Sequence, residues 1–78
     1  MKLRIISGEL EIAESNVYSV RLPGAGGTME ILPGHAKLVS ILKEGEIEYI
    51  DANGLQRTAI MSGIVEVSGD HITAVVET

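Results

Sequence analysis

Turn-forming residues interrupt this chain every few positions, and that spacing decides what it can fold into. Ser7-Gly8, Glu14-Ser15-Asn16, Pro23-Gly24, Pro33-Gly34, Glu44-Gly45, Asn53-Gly54, Ser62-Gly63 and Gly69-Asp70 punctuate only 78 residues. Each of these residue types favours turns for its own backbone reason. The runs between them are too short for a stable helix. They predict strands near 2–6, 10–13, 16–22, 28–32, 37–42, 46–51, 55–61, 64–68 and 71–77. Many short strands with regular turns imply a single all-β domain over residues 1–78, a β-sandwich or a small barrel.

Side-chain alternation supports strands where it is clean. Glu46-Ile47-Glu48-Tyr49 and Glu66-Val67-Ser68 alternate polar and apolar. Asn16, Tyr18, Val20 and Leu22 are expected on one face, with Val17, Ser19 and Arg21 on the other. Asn53-Gly54 after Asp51 is the strongest hairpin signal. Two runs do not alternate: Leu38-Val39-Ser40-Ile41-Leu42 and Ala74-Val75-Val76. Such strands are expected to have both faces covered, by a second sheet or by a partner.

Composition narrows the functions. The chain has no Phe, Trp or Cys, so Ile, Val and Leu must fill the core. Cysteine absence excludes disulfides, a thiolate nucleophile and zinc-thiolate ligation. Six basic against eleven acidic residues give a net charge of -5, which disfavours a nucleic-acid partner. No stretch reads as a signal peptide or reaches the roughly 20 apolar residues of a membrane span, so no direct membrane insertion is expected.

Catalytic readings fail on residue pattern. His35 and His71 could be combined on paper with Ser7, Ser62, Asp51 or Asp70, but there is no Gly-x-Ser-x-Gly elbow. His71 reads as an exposed turn residue after Gly69-Asp70, and Glu44, Glu46 and Glu48 as a solvated strand face rather than a metal site. Gly24-Ala25-Gly26-Gly27-Thr28 lacks the lysine and following helix of a phosphate loop. It reads as a flexible hairpin loop or as a recognition loop whose glycines let a partner backbone come close. No enzyme activity and no cofactor are expected.

Longer motifs are more specific. The run from Val20 to Leu38, with Leu32-Pro33-Gly34-His35-Ala36 at its centre, resembles the epsilon subunit of F-type ATP synthases, where an apolar residue precedes Pro-Gly-His-Ala. Leu38 to Gly45 is similar to the family's L-L-T-x-L-K-P-G, with Glu44 in place of the proline. Ser62-Gly63-Ile64-Val65-Glu66-Val67 and the closing His71 to Thr78 also resemble family segments, so the likeness runs the length of the chain.

That resemblance implies a roughly ten-stranded antiparallel β-sandwich without a long C-terminal helical hairpin. It further implies a non-catalytic central-stalk (rotor) subunit that docks the gamma subunit and the membrane c ring. Such a subunit would help couple ion flow to ATP synthesis, on the cytoplasmic side of the bacterial inner membrane. Longer relatives continue into two inhibitory helices; with the sequence ending at Thr78, neither their inhibition nor their ATP binding is carried over. The resemblance places Ser7, His35 and Ser40 on the gamma-facing surface, and Gly26, Gly27, Thr28, Met29, Glu30 and Ile31 in the loop that meets the c ring. Thr28 stands where relatives often carry an acidic residue, which Glu30 can supply nearby. A local role closing the Pro33-Gly34 turn is the alternative for His35, and core packing the alternative for Met29 and Ile31. A general β-sandwich binding module, with one concave pocket, is the alternative function.

Overall fold

The computed structural model describes residues 1–34 and 37–78. These form nine strands: β1 (Lys2–Ser7), β2 (Leu10–Asn16), β3 (Ser19–Gly24), β4 (Gly27–Ile31), β5 (Leu38–Leu42), β6 (Gly45–Asp51), β7 (Gly54–Ile60), β8 (Ser62–Ser68) and β9 (His71–Glu77). No helix occurs among the described residues. All-β architecture follows from the turn spacing; the boundaries differ where the chain changes layer.

The strands join in the order β2-β1-β9-β8-β5-β3-β6-β7, with β4 on the other side of β3. Between β5 and β3 the ladder narrows to one pair, Gly24 with Leu42. At this corner the Ala25 N–H donates to the Ile41 carbonyl and the Lys43 N–H to the Pro23 carbonyl, both at 2.9 Å. The sheet folds over there into two layers, β2-β1-β9-β8-β5 and β4-β3-β6-β7. One pair departs from the antiparallel expectation: β1 and β9 run parallel, Leu3 beside Ile72 and Ile5 beside Ala74. Nearly the whole chain connects them, which supplies the long crossover that parallel neighbours need.

The core lies between the layers. Leu3, Ile5, Val20, Leu22, Ile31, Ile47, Val65 and Ala74 are fully buried, with contributions from both layers. Burying a Val, Leu or Ile side chain contributes about 1.5–3 kcal/mol, so these aliphatics replace the missing large aromatics.

Two local readings change. The expected shared face of Asn16, Tyr18, Val20 and Leu22 breaks, because β3 begins only at Ser19. The Val17 N–H donates to Met1 in the first layer and the Tyr18 N–H to Ile50 in the second, both at 2.8 Å. The chain crosses between layers here, which turns Val17 inward and leaves Tyr18 exposed. The β6–β7 hairpin forms as expected, but its loop is Ala52-Asn53, with Gly54 already paired to Asp51 at φ 102°. Only Gly adopts that φ without strain. The Asp51 carboxylate fixes the turn, accepting from the Asn53 N–H at 2.8 Å and from the Ser15 hydroxyl at 3.1 Å.

Candidate functional site

On the outer side of the first layer, strand register builds a row of aliphatic side chains. Ile41 of β5 pairs with Ile64 of β8, Ile64 with Val75 of β9, and Val75 with Ile6 of β1. Directly opposed residues on one face lie about 4.5–5.5 Å apart, so the four side chains form a continuous band. Ile41, Ile64 and Val75 are 64%, 53% and 51% exposed, and Val39 beside them 69%. Gly8, Ser62, Gly63 and Glu77 help shape a shallow groove at one end of the row.

This arrangement explains the two runs without clean alternation. Their inward residues, Leu42, Ala74 and Val76, are buried. Their outward residues, Val39, Ile41 and Val75, meet no second sheet. Exposed aliphatics gathered in one patch, rather than scattered singly, mark an interaction surface. The sequence singles out Ser7, His35 and Ser40 as contact residues and predicts from the broken alternation that both faces of these runs are covered; the structure shows that the outward aliphatics Val39, Ile41 and Val75, rather than Ser40, form the exposed patch.

The predicted gamma-facing residues do not share one outward face. Ser40 pairs with the buried Val65 and is half-buried on the inner side of β5, because Val39 and Ile41 take the outward positions. Ser7 is half-buried at the end of β1, one residue past Ile6. His35 lies outside the described residues. Among those described, no buried side-chain nitrogen or oxygen lacks a partner, so no polar group inside waits for a docking partner to satisfy it.

The β3–β4 hairpin forms a second feature. Its tip, Ala25-Gly26, is exposed, as are Thr28 and Glu30 along β4, while Gly27 is half-buried. Met29 packs partly against the core and Ile31 is fully buried opposite Val20. Ile31 is therefore corrected from a contact residue to a core residue: strand alternation sends it inward.

The outer side of the second layer carries a charge row in register: Glu30, Arg21, Glu48 and Arg57. Arg57 Nε donates to Glu48 at 2.8 Å, which holds the guanidinium pKa above its ordinary value. Arg21 and Glu30 approach at 3.9 Å. These pairs satisfy one another, so this side resembles a solvated surface. Of the three glutamates expected on one strand face, Glu46 and Glu48 lie on it, whereas Glu44 sits exposed in the bend before β6 begins at Gly45.

Among the described residues no three His, Asp or Glu side chains gather to hold a metal ion. His71 opens β9 in an exposed position. No helix of the described residues is long and apolar enough to cross a membrane.

Comparison with known proteins gives a consistent picture. Residues 1–78 match the family described as ATP synthase, Delta/Epsilon chain, beta-sandwich domain. An ATP synthase epsilon chain of Nitratiruptor is 40% identical over 78 residues, covering 99% of this chain and 60% of that protein. That of Rhodobacter capsulatus is 34% identical over 77 residues, covering 99% and 58%. The chain thus spans less than two-thirds of the length of these relatives. A chain in the Euglena gracilis mitochondrial ATP synthase OSCP/F1/c-ring structure superposes with a TM-score of 0.87 at 21% identity, covering 97% of this chain and 49% of that one. One in the Tetrahymena thermophila mitochondrial ATP synthase central stalk/c-ring structure gives 0.82 at 13% identity, covering 100% and 63%. At such identities the superpositions speak for the fold.

Proposed function

The chain belongs to the β-sandwich family of ATP synthase delta/epsilon chains, and we propose that it is a rotor coupling domain in the central stalk of an F-type ATP synthase. In this reading the outer side of β5-β8-β9-β1 docks the gamma subunit, and the β3–β4 hairpin meets the c ring. The ATP chemistry belongs to other subunits, and the domain reaches the membrane surface only through the complex, on the cytoplasmic side of a bacterial inner membrane.

The observation that carries the reading is the aliphatic row Ile41–Ile64–Val75–Ile6. A domain this small buries only about two-thirds of its unfolded surface. Leaving several aliphatics exposed in one band is then a cost unless a partner covers them. Val39 and Ile41 take the contact role in place of Ser40, with Ser7 as a rim position. Stable interfaces bury on the order of 1,200–2,000 Å² in total, so the row would be the apolar centre of a larger polar-rimmed contact. At the other surface, the small residues of the hairpin tip let the polar loops of the ring approach the backbone.

The test is Ile64→Asp, measured by co-purification and by binding to the cognate gamma subunit. Ile64 is exposed, so folding should be retained while gamma binding falls by about 2 kcal/mol or more, as expected for a charge forced into the apolar centre of an interface. Unchanged gamma binding by this variant refutes the stalk reading.

A further inference from the structure

We propose that the docking surface selects its partner by charge as well as by apolar contact: Glu66 and Glu77 bracket the aliphatic row and require lysine or arginine on both sides of the partner's apolar segment. The proposal rests on the stalk reading above and specifies the chemistry that gamma must present at this surface.

Register fixes the placement. Glu66 lies two residues beyond Ile64 on the outward side of β8, paired with Val39 and Thr73. Glu77 lies two residues beyond Val75 on the outward side of β9, paired with Ser62. Ile64 and Val75 oppose each other. A two-residue step along a strand is about 7 Å, so one carboxylate stands on each side of the row, roughly 14 Å apart along the strands.

Glu9, Glu44 and Glu46 are likewise exposed and unpaired among the described residues, so it is position beside the aliphatic row that sets Glu66 and Glu77 apart, while much of the surrounding charge is already paired. On the same layer Arg4 donates to Glu11 at 2.8 Å and lies 3.6 Å from Glu14, while Lys2 lies 3.9 Å from Glu14. On the opposite layer Arg21 and Arg57 are paired with Glu30 and Glu48. Glu66 and Glu77 are exposed and form no ion pair among the described residues. Lys37 lines the same stretch of surface as Glu66 but forms no ion pair with it.

A partner that covers the row must strip water from its borders. A carboxylate that loses water without gaining a cation opposes binding, whereas a basic side chain at each border converts that cost into attraction. The net charge of -5 adds a long-range pull on a basic segment. An acidic or purely aliphatic segment would meet two uncompensated carboxylates and be rejected.

The experiment measures association of the whole chain with the purified cognate gamma subunit at low and high salt, by surface plasmon resonance. Glu66→Gln/Glu77→Gln should weaken binding about tenfold at low salt, mainly through slower association, and the difference should shrink near 1 M salt as screening takes over. Glu46→Gln, on the opposite layer, removes a charge far from the row and should stay within about twofold of wild type. Wild-type affinity in the double variant overturns the proposal; so does an equal loss per charge in Glu46→Gln, since net charge alone would then explain it. If wild type fails to bind gamma, or Ile64→Asp binds as wild type does, the stalk reading itself falls and this proposal falls with it.

Discussion

Gly63 pairs with Val76 where β8 and β9 approach closely; a Cβ there would sit 2.7 Å from the Val75 carbonyl oxygen and 2.9 Å from a Val76 methyl. Backbone cannot move aside as a flexible side chain can, so Gly63→Ala should destabilise the domain by about 1–3 kcal/mol. The measurement is the urea midpoint at unchanged slope. Because Ile64 and Val75 flank this contact, the same variant should also weaken gamma binding. Tyr49 gives a pH-dependent prediction. Burial, and secondarily the charge of Asp51, raise its pKa above the ordinary tyrosine value of about 10. The folded state therefore favours the neutral phenol, and this contribution is complete below about pH 10 and lost as pH rises through the raised value. Tyr49→Phe should leave stability at neutral pH little changed and flatten the alkaline fall in melting temperature. An alkaline limb that superimposes on wild type would show that another group controls it.

Among the elements, β5 shows both how much the sequence discloses and where it stops. Leu38-Val39-Ser40-Ile41-Leu42 reads as a strand with apolar side chains on both faces, and it is one. Whether the second face meets another layer of the same chain or a partner depends on which strands lie opposite, and that is set by long-range pairing. The same limit applies at β3: Val17 and Tyr18 look like part of an alternating strand, but backbone bonds to Met1 and Ile50 in different layers reset the phase. Turn chemistry is local, so every strand was recognisable; the crossover at Val17-Tyr18 and the parallel place of β9 beside β1 were not. In β4, alternation had left Met29 and Ile31 between core and contact, and packing settles Ile31 as core. This yields a contrast within one strand. Met29→Asp should cost about 1–3 kcal/mol of stability, because a half-buried thioether packed on the core becomes a charge. Thr28→Asp, at an exposed position, should change stability by less than about 0.5 kcal/mol. Chemical denaturation of both variants checks the pair, and equal stability would mean that Met29 is free of the core.

At the scale of the whole molecule, the exposed row and the small core are two sides of one balance. Every strand but β2 places a buried side chain in a core built mostly from Ile, Val and Leu, yet β1, β5, β8 and β9 also contribute aliphatics to the outside. Covering that outside should then stabilise the fold as well as assemble the stalk. A partner that binds only the folded state adds about 2.7 kcal/mol when its free concentration is a hundred times the dissociation constant. For a domain of this length each kcal/mol shifts the melting temperature by roughly 4–8 °C. Saturating gamma should therefore raise the melting transition of this chain by roughly 10–20 °C. The increase should grow with the logarithm of gamma concentration, which distinguishes linkage from a fixed conformational change. Ile64→Asp should melt near the wild-type temperature alone and gain almost nothing from gamma, because the substitution removes the binding term and leaves the inward face of β8 intact. Calorimetry on the four samples measures this directly. A variant that melts well below wild type without gamma would show that the outer aliphatics support the fold itself, and the row would then be a structural surface rather than a docking one.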